Sequence, residues 1–278
     1  MSRQRNVLVT GVPRAGTTLV GALLDSLPNT VCLSEPPWQW HKSTGGKLDI
    51  GPDPCGEEFA KWLVGDFVDL RRRLLVGEQV LDRRGEGNRP LTNYHAASAG
   101  SNHPQRSALG VRHFSASALD SDFTLAIKHN GPYLTALGPL IALEYFSIVA
   151  VVRHPVDVIH SWRSLNLPVS RGKMHDAARC WPELAEATAS GDVLQRQVRI
   201  YDLICQRLNA HREHVSVLRY EDIVTDPSTV ANAIGCYARP GIDIVGKPSR
   251  SVTDQERGLI TDALSRFGCH YRLFYPEL

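Results

Sequence analysis

The stretch Val7–Val20, VLVTGVPRAGTTLV, decides how this chain is read. Val7 to Thr10 is a short β-branched run, Gly11 and Gly16 bracket a turn, and from Thr17 the apolar residues Leu19, Val20, Leu23, Leu24 and Leu27 recur at helical spacing. Strand, glycine turn and helix make an anion cradle, because glycines let the main chain curl until successive N–H groups and the helix N-terminus face one point. Gly11 and Gly16 are separated by four residues, as in a Walker A loop, but that motif continues with lysine and Ser/Thr where this chain has Thr17 and Thr18. In an NTPase the lysine neutralises the terminal phosphates and the next hydroxyl ligates magnesium. Here Arg14 offers a planar fork to phosphate or sulfonate oxygens, and the two threonine hydroxyls add hydrogen bonds. The bland alternative for this stretch alone is an ordinary glycine turn.

Outward from the loop, strands and helices alternate. NTVCLS (Asn29–Ser34), TLAIKH (Thr124–His129), FSIVAVVRHP (Phe146–Pro155) and the start of VSVLRYEDI (Val215–Ile223) read as strands. The third is the near-continuous apolar run of a strand buried on both faces, and the fourth starts as another buried strand. Helices are expected over Glu57–Leu75, Tyr133–Leu143, VDVIHSWRSL after Pro155, Asp176–Ser190, Val193–Glu213, Pro227 to about Tyr237 and Thr253–Phe267, leaving YRLFYPEL to dock or fray. This alternation implies right-handed crossovers and a P-loop NTPase-like α/β fold of three layers, a central parallel sheet flanked by helices. The 278 residues form a single domain, with the irregular span of about 40–121 expected as a substrate-binding insertion.

Composition narrows the function. Basic and acidic side chains nearly balance, 31 against 29, so no surface is suited to coating a nucleic acid, and any anion site must be local. No apolar run approaches the ~20 residues of a membrane span. Cys32, Cys55, Cys180, Cys205, Cys236 and Cys269 form neither a CxxC pair nor a zinc-like spacing, and read as free thiols in a reducing compartment. With no signal-peptide pattern before the first strand, the expectation is a soluble, cytoplasmic protein.

A second constellation follows the apolar strand. VVRHPVDVIHSW puts Arg153 at the strand's C-terminal end and Ser161 eight residues later on the next helix. Ligands of open α/β sheets sit at that edge, so arginine and serine there can hold a second anionic group, although Arg153 could also simply pair with Asp157. Two phosphate grips suggest a nucleotide phosphorylated at two places.

Together these pieces resemble the sulfotransferases that use 3′-phosphoadenosine 5′-phosphosulfate (PAPS), in particular the arginine-loop branch of bacterial, carbohydrate and tyrosyl-protein enzymes. PRAGTT (Pro13–Thr18) is similar to the loop that grips the 5′-phosphosulfate; Arg153, Pro155, Asp157 and Ser161 match the R-x-P-x-D…S motif that holds the 3′-phosphate; LRYEDIVTDP (Leu218–Pro227) resembles the family's YEDL-x-x-DP stretch. The resemblance implies PAPS as cosubstrate, adenosine 3′,5′-bisphosphate as product, no metal, and transfer of a sulfuryl group to a hydroxyl of a carbohydrate, natural product or peptide tyrosine. It implies Arg14, Ala15, Gly16, Thr17 and Thr18 at the 5′ end and Arg153 and Ser161 at the 3′ end, with Tyr220 near the nucleotide and Arg250 and Ser251 in a basic flap, KPSRS, near the 3′-phosphate. Ala15 departs from the family, where many members carry a serine.

Sulfuryl transfer also needs a base for the acceptor's proton and cations for the leaving phosphate. By the same resemblance Glu35, in CLSEPPW, is the base, and Lys128 at the end of TLAIKH supports the leaving phosphate and the sulfonate. Burial beside Pro36, Pro37 and Trp38 would raise the glutamate's pKa, and Arg14 would oppose that. His95, His103, His113 and His129 lack ligand spacing and read as surface or hydrogen-bonded groups, with His113 or His129 the second choice of base. Trp38, Trp40, Trp62 and the Arg71–Arg73 run fall in the expected acceptor region. If two of the aromatics line a pocket, a sugar or aromatic acceptor follows. Two rivals stay open at this level, an ATP-dependent small-molecule kinase and a non-catalytic nucleotide-binding protein.

Overall fold

The computed structural model describes residues 5–36, 55–83, 95–96, 105–106, 109–112, 119–165, 167–242, 244 and 252–278. The chain opens with β1 (Asn6–Gly11), α1 (Thr17–Asp25) and β2 (Thr30–Ser34), followed by α2 (Glu57–Leu75). Four short strands come next, β3 (Val80–Arg83), β4 (His95–Ala96), β5 (Gln105–Arg106) and β6 (Leu109–Arg112), forming two antiparallel pairs, β3 with β6 and β4 with β5. β7 (Thr124–Lys128), α3 (Asn130–Thr135), α4 (Leu137–Ala142), β8 (Ser147–Val152) and α5 (Pro155–Arg163) lead to α6 (His175–Ala178), α7 (Pro182–Ala189) and α8 (Val193–Ala210). The chain closes with β9 (Val215–Arg219), α9 (Tyr220–Thr225), α10 (Ser228–Ala233), α11 (Asp254–Phe267) and a 3₁₀ turn at His270–Leu273.

Five strands lie parallel in the order β2-β7-β1-β8-β9. Every residue of β1 and β7 is buried, and β8 is buried beyond Ser147, which explains their unbroken apolar character. Right-handed crossovers put α1 on one face, where it packs with α10; α2 with α4, and α5 and α11 with α8, cover the other. The protein is therefore an α/β fold with a central parallel sheet between helical layers.

Several expectations are corrected. β9 is an edge strand, buried only at Val215, because β8 flanks it on one side alone. The expected helix over 133–143 is two helices meeting at Ala136: Pro139 has no N–H to give Thr135, so it fits only the first turn of a new helix. Pro182 likewise holds Trp181 extended, at φ −134 and ψ 88, and splits the expected helix over 176–190. The helix expected from Pro227 to about Tyr237 ends at Ala233, and Gly235 turns the chain with φ 65. The terminal YRLFYPEL docks, with Tyr271 and Tyr275 buried. Cysteines are not all free: Cys55, before α2, and Cys180, before α7, form a disulfide, leaving Cys32, Cys205, Cys236 and Cys269 as thiols. The cysteines thus no longer argue for a reducing compartment.

α2 runs over the expected residues and buries Phe59, Ala60, Leu63, Phe67, Leu70 and Leu74 in the core. Arg71 is buried and donates to Phe123 O, Asn6 Oδ1 and Arg5 O at the opening end of the strands, while Arg72 and Arg73 pair with Glu78 in solvent. On the same helix, burial pushes the Asp66 carboxyl up to about 7, with Asp69 adding to the rise and Arg73 opposing it. The folded value lies above the unfolded one, so protonation favours the fold and stability is lost as pH rises from about 4 to about 7. Relative to Asp66→Asn, the native chain is expected to lose about 1–3 kcal/mol over that range, after discounting for partial exposure. Urea midpoints at pH 4.5 and pH 8 measure this, and parallel curves for the two chains would refute it.

Candidate active site

The parallel register brings the C-terminal ends of all five strands to one edge, the edge where ligands sit in this architecture. Lys128 lies opposite Val9 on one side and Ser34 on the other, Gly11 opposite Val151, and Val152 opposite Arg219. The residues that follow, Glu35 after β2, Arg153 after β8 and Tyr220 after β9, share the edge with the 11–18 loop.

The loop is anchored on β8 and α5. Val12 N–H donates to Val151 O at 2.9 Å, and Trp162 Nε1 of α5 donates to Pro13 O at 2.7 Å. Gly16 forms the N-cap of α1 at φ 104, and no side chain caps the helix, so first-turn N–H groups face the loop mouth without an intrahelical acceptor. Thr17 is buried and Thr18 half-buried. The Ala15 methyl is fully buried, and its N–H closes a turn onto Val12 O at 2.9 Å.

Arg14 stands in the left-handed region at φ 73, a conformation a non-glycine residue adopts at a cost. Its Nε donates to Ser161 Oγ at 3.3 Å, joining the first loop to the second constellation in one continuous site. Burial, then the neighbouring Arg153, lower Arg14 to about 10, leaving it charged at neutral pH. Two guanidiniums brought together away from water favour an anion between them. Arg153 reaches Asp157 at 3.5 Å, the plain pairing that its spacing allowed, but its guanidinium also lies over the Tyr220 ring, 4.4 Å from the centroid. The Tyr220 ring in turn packs on Gly16, where a Cβ would lie 2.5 Å from it.

Across the loop from Arg153, Glu35 also adopts a positive φ, 46. Its N–H donates to Lys128 O at 2.9 Å, and its carboxylate meets Lys128 Nζ at 2.6 Å with the two side chains only 13% and 3% exposed. The ion pair holds a carboxylate and a cation side by side at the edge of the sheet, an arrangement that suits taking a proton while stabilising a departing anion.

Some supports carried no readable signal. Ser34 N–H donates to buried Asp82 Oδ1 at 2.5 Å, setting the approach to Glu35; Tyr201 OH donates to Arg153 O at 2.6 Å; and Glu221 accepts from His154 N–H at 3.0 Å. Glu221 lies inside the YED stretch, which is the one hint. Arg250, Ser251, Trp38, Trp40, His103 and His113 lie outside the described residues. Trp62 packs on Phe59 in the core, and His129 heads α3 with its ring edge-on to Tyr133.

Among the described residues, no helix is long and apolar enough to cross a membrane. A sequence model described as "Sulfotransferase family" matches residues 6–239. Similar solved structures include a sulfotransferase from Alicyclobacillus acidocaldarius at 15% identity and TM-score 0.46, covering 99% of this chain and 96% of that one. A sulfotransferase from Mycobacterium tuberculosis H37Rv matches at 14% and 0.39, covering 93% and 71%. The sulfotransferase domain of the Synechococcus PCC 7002 olefin synthase matches at 16% and 0.39, covering 89% and 82%. No curated protein matches. The family match spans the 11–18 loop, the Glu35–Lys128 pair, Arg153 and the YED stretch, and the chain belongs to the sulfotransferase family.

Proposed function

We propose that this chain transfers the sulfuryl group of PAPS to an acceptor hydroxyl. The observation that carries the reading is the buried Glu35–Lys128 pair set beside a loop whose arginine is crowded by a second arginine. The donor set fits a doubly phosphorylated nucleotide: an uncapped helix N-terminus and Arg14 for one end, Arg153 with Ser161 for the other, and the Tyr220 face between Gly16 and Arg153.

When bound, PAPS supplies an activated sulfuryl group with a phosphate as leaving group. Arg14, the first-turn N–H groups and Lys128 receive the negative charge that develops on that phosphate. Lys128, which holds Glu35 in the free protein, would also hold the donor's sulfonate, and Glu35 Oε1, sharing the lysine, would accept the acceptor's proton.

Isothermal titration with adenosine 3′,5′-bisphosphate is expected to show one binding site, weakened about 100-fold in Arg153→Ala, the loss of two charge-assisted bonds. Absence of heat with the intact protein would sink the reading.

A further inference from the structure

The last turn of the chain closes onto α8, where three potential ligands from two distant segments converge. Asp202 is buried in α8, and its Oδ1 accepts the backbone N–H groups of Cys269 at 2.9 Å and Tyr271 at 3.0 Å. Those bonds orient the carboxylate, so that Oδ2 faces His270 Nδ1 at 2.8 Å and Cys269 Sγ at 4.0 Å, while Sγ and Nδ1 lie 3.4 Å apart. Gly268 permits the approach, since a Cβ there would press on Asp202 Oδ1 at 3.1 Å. All three donor atoms fall within 4.8 Å of one another.

Cysteine, histidine and aspartate could instead suggest a nucleophile relay. A relay needs the imidazole between its partners, one ring nitrogen for each. Here the carboxylate and the sulfur both face Nδ1, so the ring transmits nothing between them and the three atoms form a triangle. Tetrahedral zinc, with bonds of about 2.0–2.3 Å, sets such N, O and S ligand atoms roughly 3.4–3.6 Å apart. The separations of 2.8, 3.4 and 4.0 Å bracket that spacing.

We propose that Asp202 Oδ2, Cys269 Sγ and His270 Nδ1 form a zinc site with its fourth position open to water on the exposed side of Cys269. The metal replaces the proton that joins Nδ1 to Oδ2 and the proton of the thiol, both released to solvent on binding. A thiolate and an imidazole favour zinc over magnesium or calcium, and the two backbone N–H groups on Oδ1 provide the outer bonds that hold the carboxylate in place. The site fastens the terminal segment to α8. It also backs the end of β8, because Tyr201, beside Asp202, donates to Arg153 O, and Tyr275, on the fastened segment, donates to Glu221 Oε2 at 2.8 Å while Glu221 Oε1 holds His154 N–H. Its role is structural and separate from sulfuryl transfer.

Cobalt serves as the spectroscopic probe on the untagged, chelator-treated full chain. One equivalent of Co²⁺ is expected to give a thiolate-to-cobalt charge-transfer band with tetrahedral visible absorption, and Zn²⁺ to abolish both. Cys269→Ser should remove the thiolate band, and His270→Ala should weaken cobalt binding ~100-fold or more. Both side chains lie at the surface, and circular dichroism verifies that the variants fold. On the unaltered protein, Zn²⁺ should slow iodoacetamide labelling of the Cys269 peptide at least tenfold. No thiolate band, a band that persists in Cys269→Ser, or labelling indifferent to Zn²⁺ would each overturn the proposal.

Discussion

Glu35→Gln is expected to lower kcat by about 10²–10⁴-fold while adenosine 3′,5′-bisphosphate binds as before. The substitution keeps size and an acceptor oxygen for Lys128, so the proposed nucleotide grip of Arg14, Arg153 and Ser161 stays in place. What disappears is the carboxylate proposed to take the acceptor's proton. Because Lys128 is 3% exposed and loses a full counter-charge, some stability is lost too, and thermal unfolding must be recorded beside the kinetics. Activity in a sulfate-transfer assay is the deciding readout: a fully active, folded Glu35→Gln would remove Glu35 as the base.

The second large effect is on the fold. Gly11 has φ 134, and a Cβ built there would lie 2.2 Å from Val151 O and 2.5 Å from Val151 N. Those atoms are backbone in the adjoining strand and cannot retreat, since Gly11 is in register with Val151 and Val12 N–H bonds its carbonyl. Gly11→Ala is expected to cost more than about 4 kcal/mol and to lower the melting temperature by ~10 °C or more, as calorimetry would show. Gly16→Ala provides the contrast. The nearest atoms to its Cβ belong to the Tyr220 ring, which can swing away, so despite the strain of an alanine at φ 104 the chain should fold but lose the surface on which Arg153 stacks. Bisphosphate affinity is expected to fall roughly tenfold. Equal stability of Gly11→Ala and the native chain would contradict the close approach of β1 and β8.

Where local chemistry decides a feature, it was legible. The run Val7–Gly11, the glycine turn and the apolar run of β8 were readable because a strand buried on both faces must be apolar and a tight anion loop must be glycine-rich. The α2 boundaries at Glu57 and Leu75 followed from helical periodicity. Breaks at Pro139 and Pro182 were missed because apolar spacing continued through them, although proline chemistry could have located both. In the sequence Arg71 is one of three consecutive arginines in the expected acceptor region. Only the packing of α2 against the start of β1 and β7 turns it inward to three backbone and side-chain oxygens.

By itself, then, the sequence determined the α/β class, the glycine loop between β1 and α1 and the chemical types available at the strand ends, because these depend on residues within a few positions of one another. Tertiary structure alone decided which of them meet. Strand order places β2 beside β7 and so joins Glu35 to Lys128 across 93 positions; it sets Arg14 against Ser161 across 147. The same holds for the Cys55–Cys180 bond, 125 residues apart, and for the Asp202–Cys269–His270 triangle, whose members show no ligand spacing along the chain. Contacts of that range are fixed by how the helices cover the sheet, and that packing leaves no periodicity in the sequence from which they could be read.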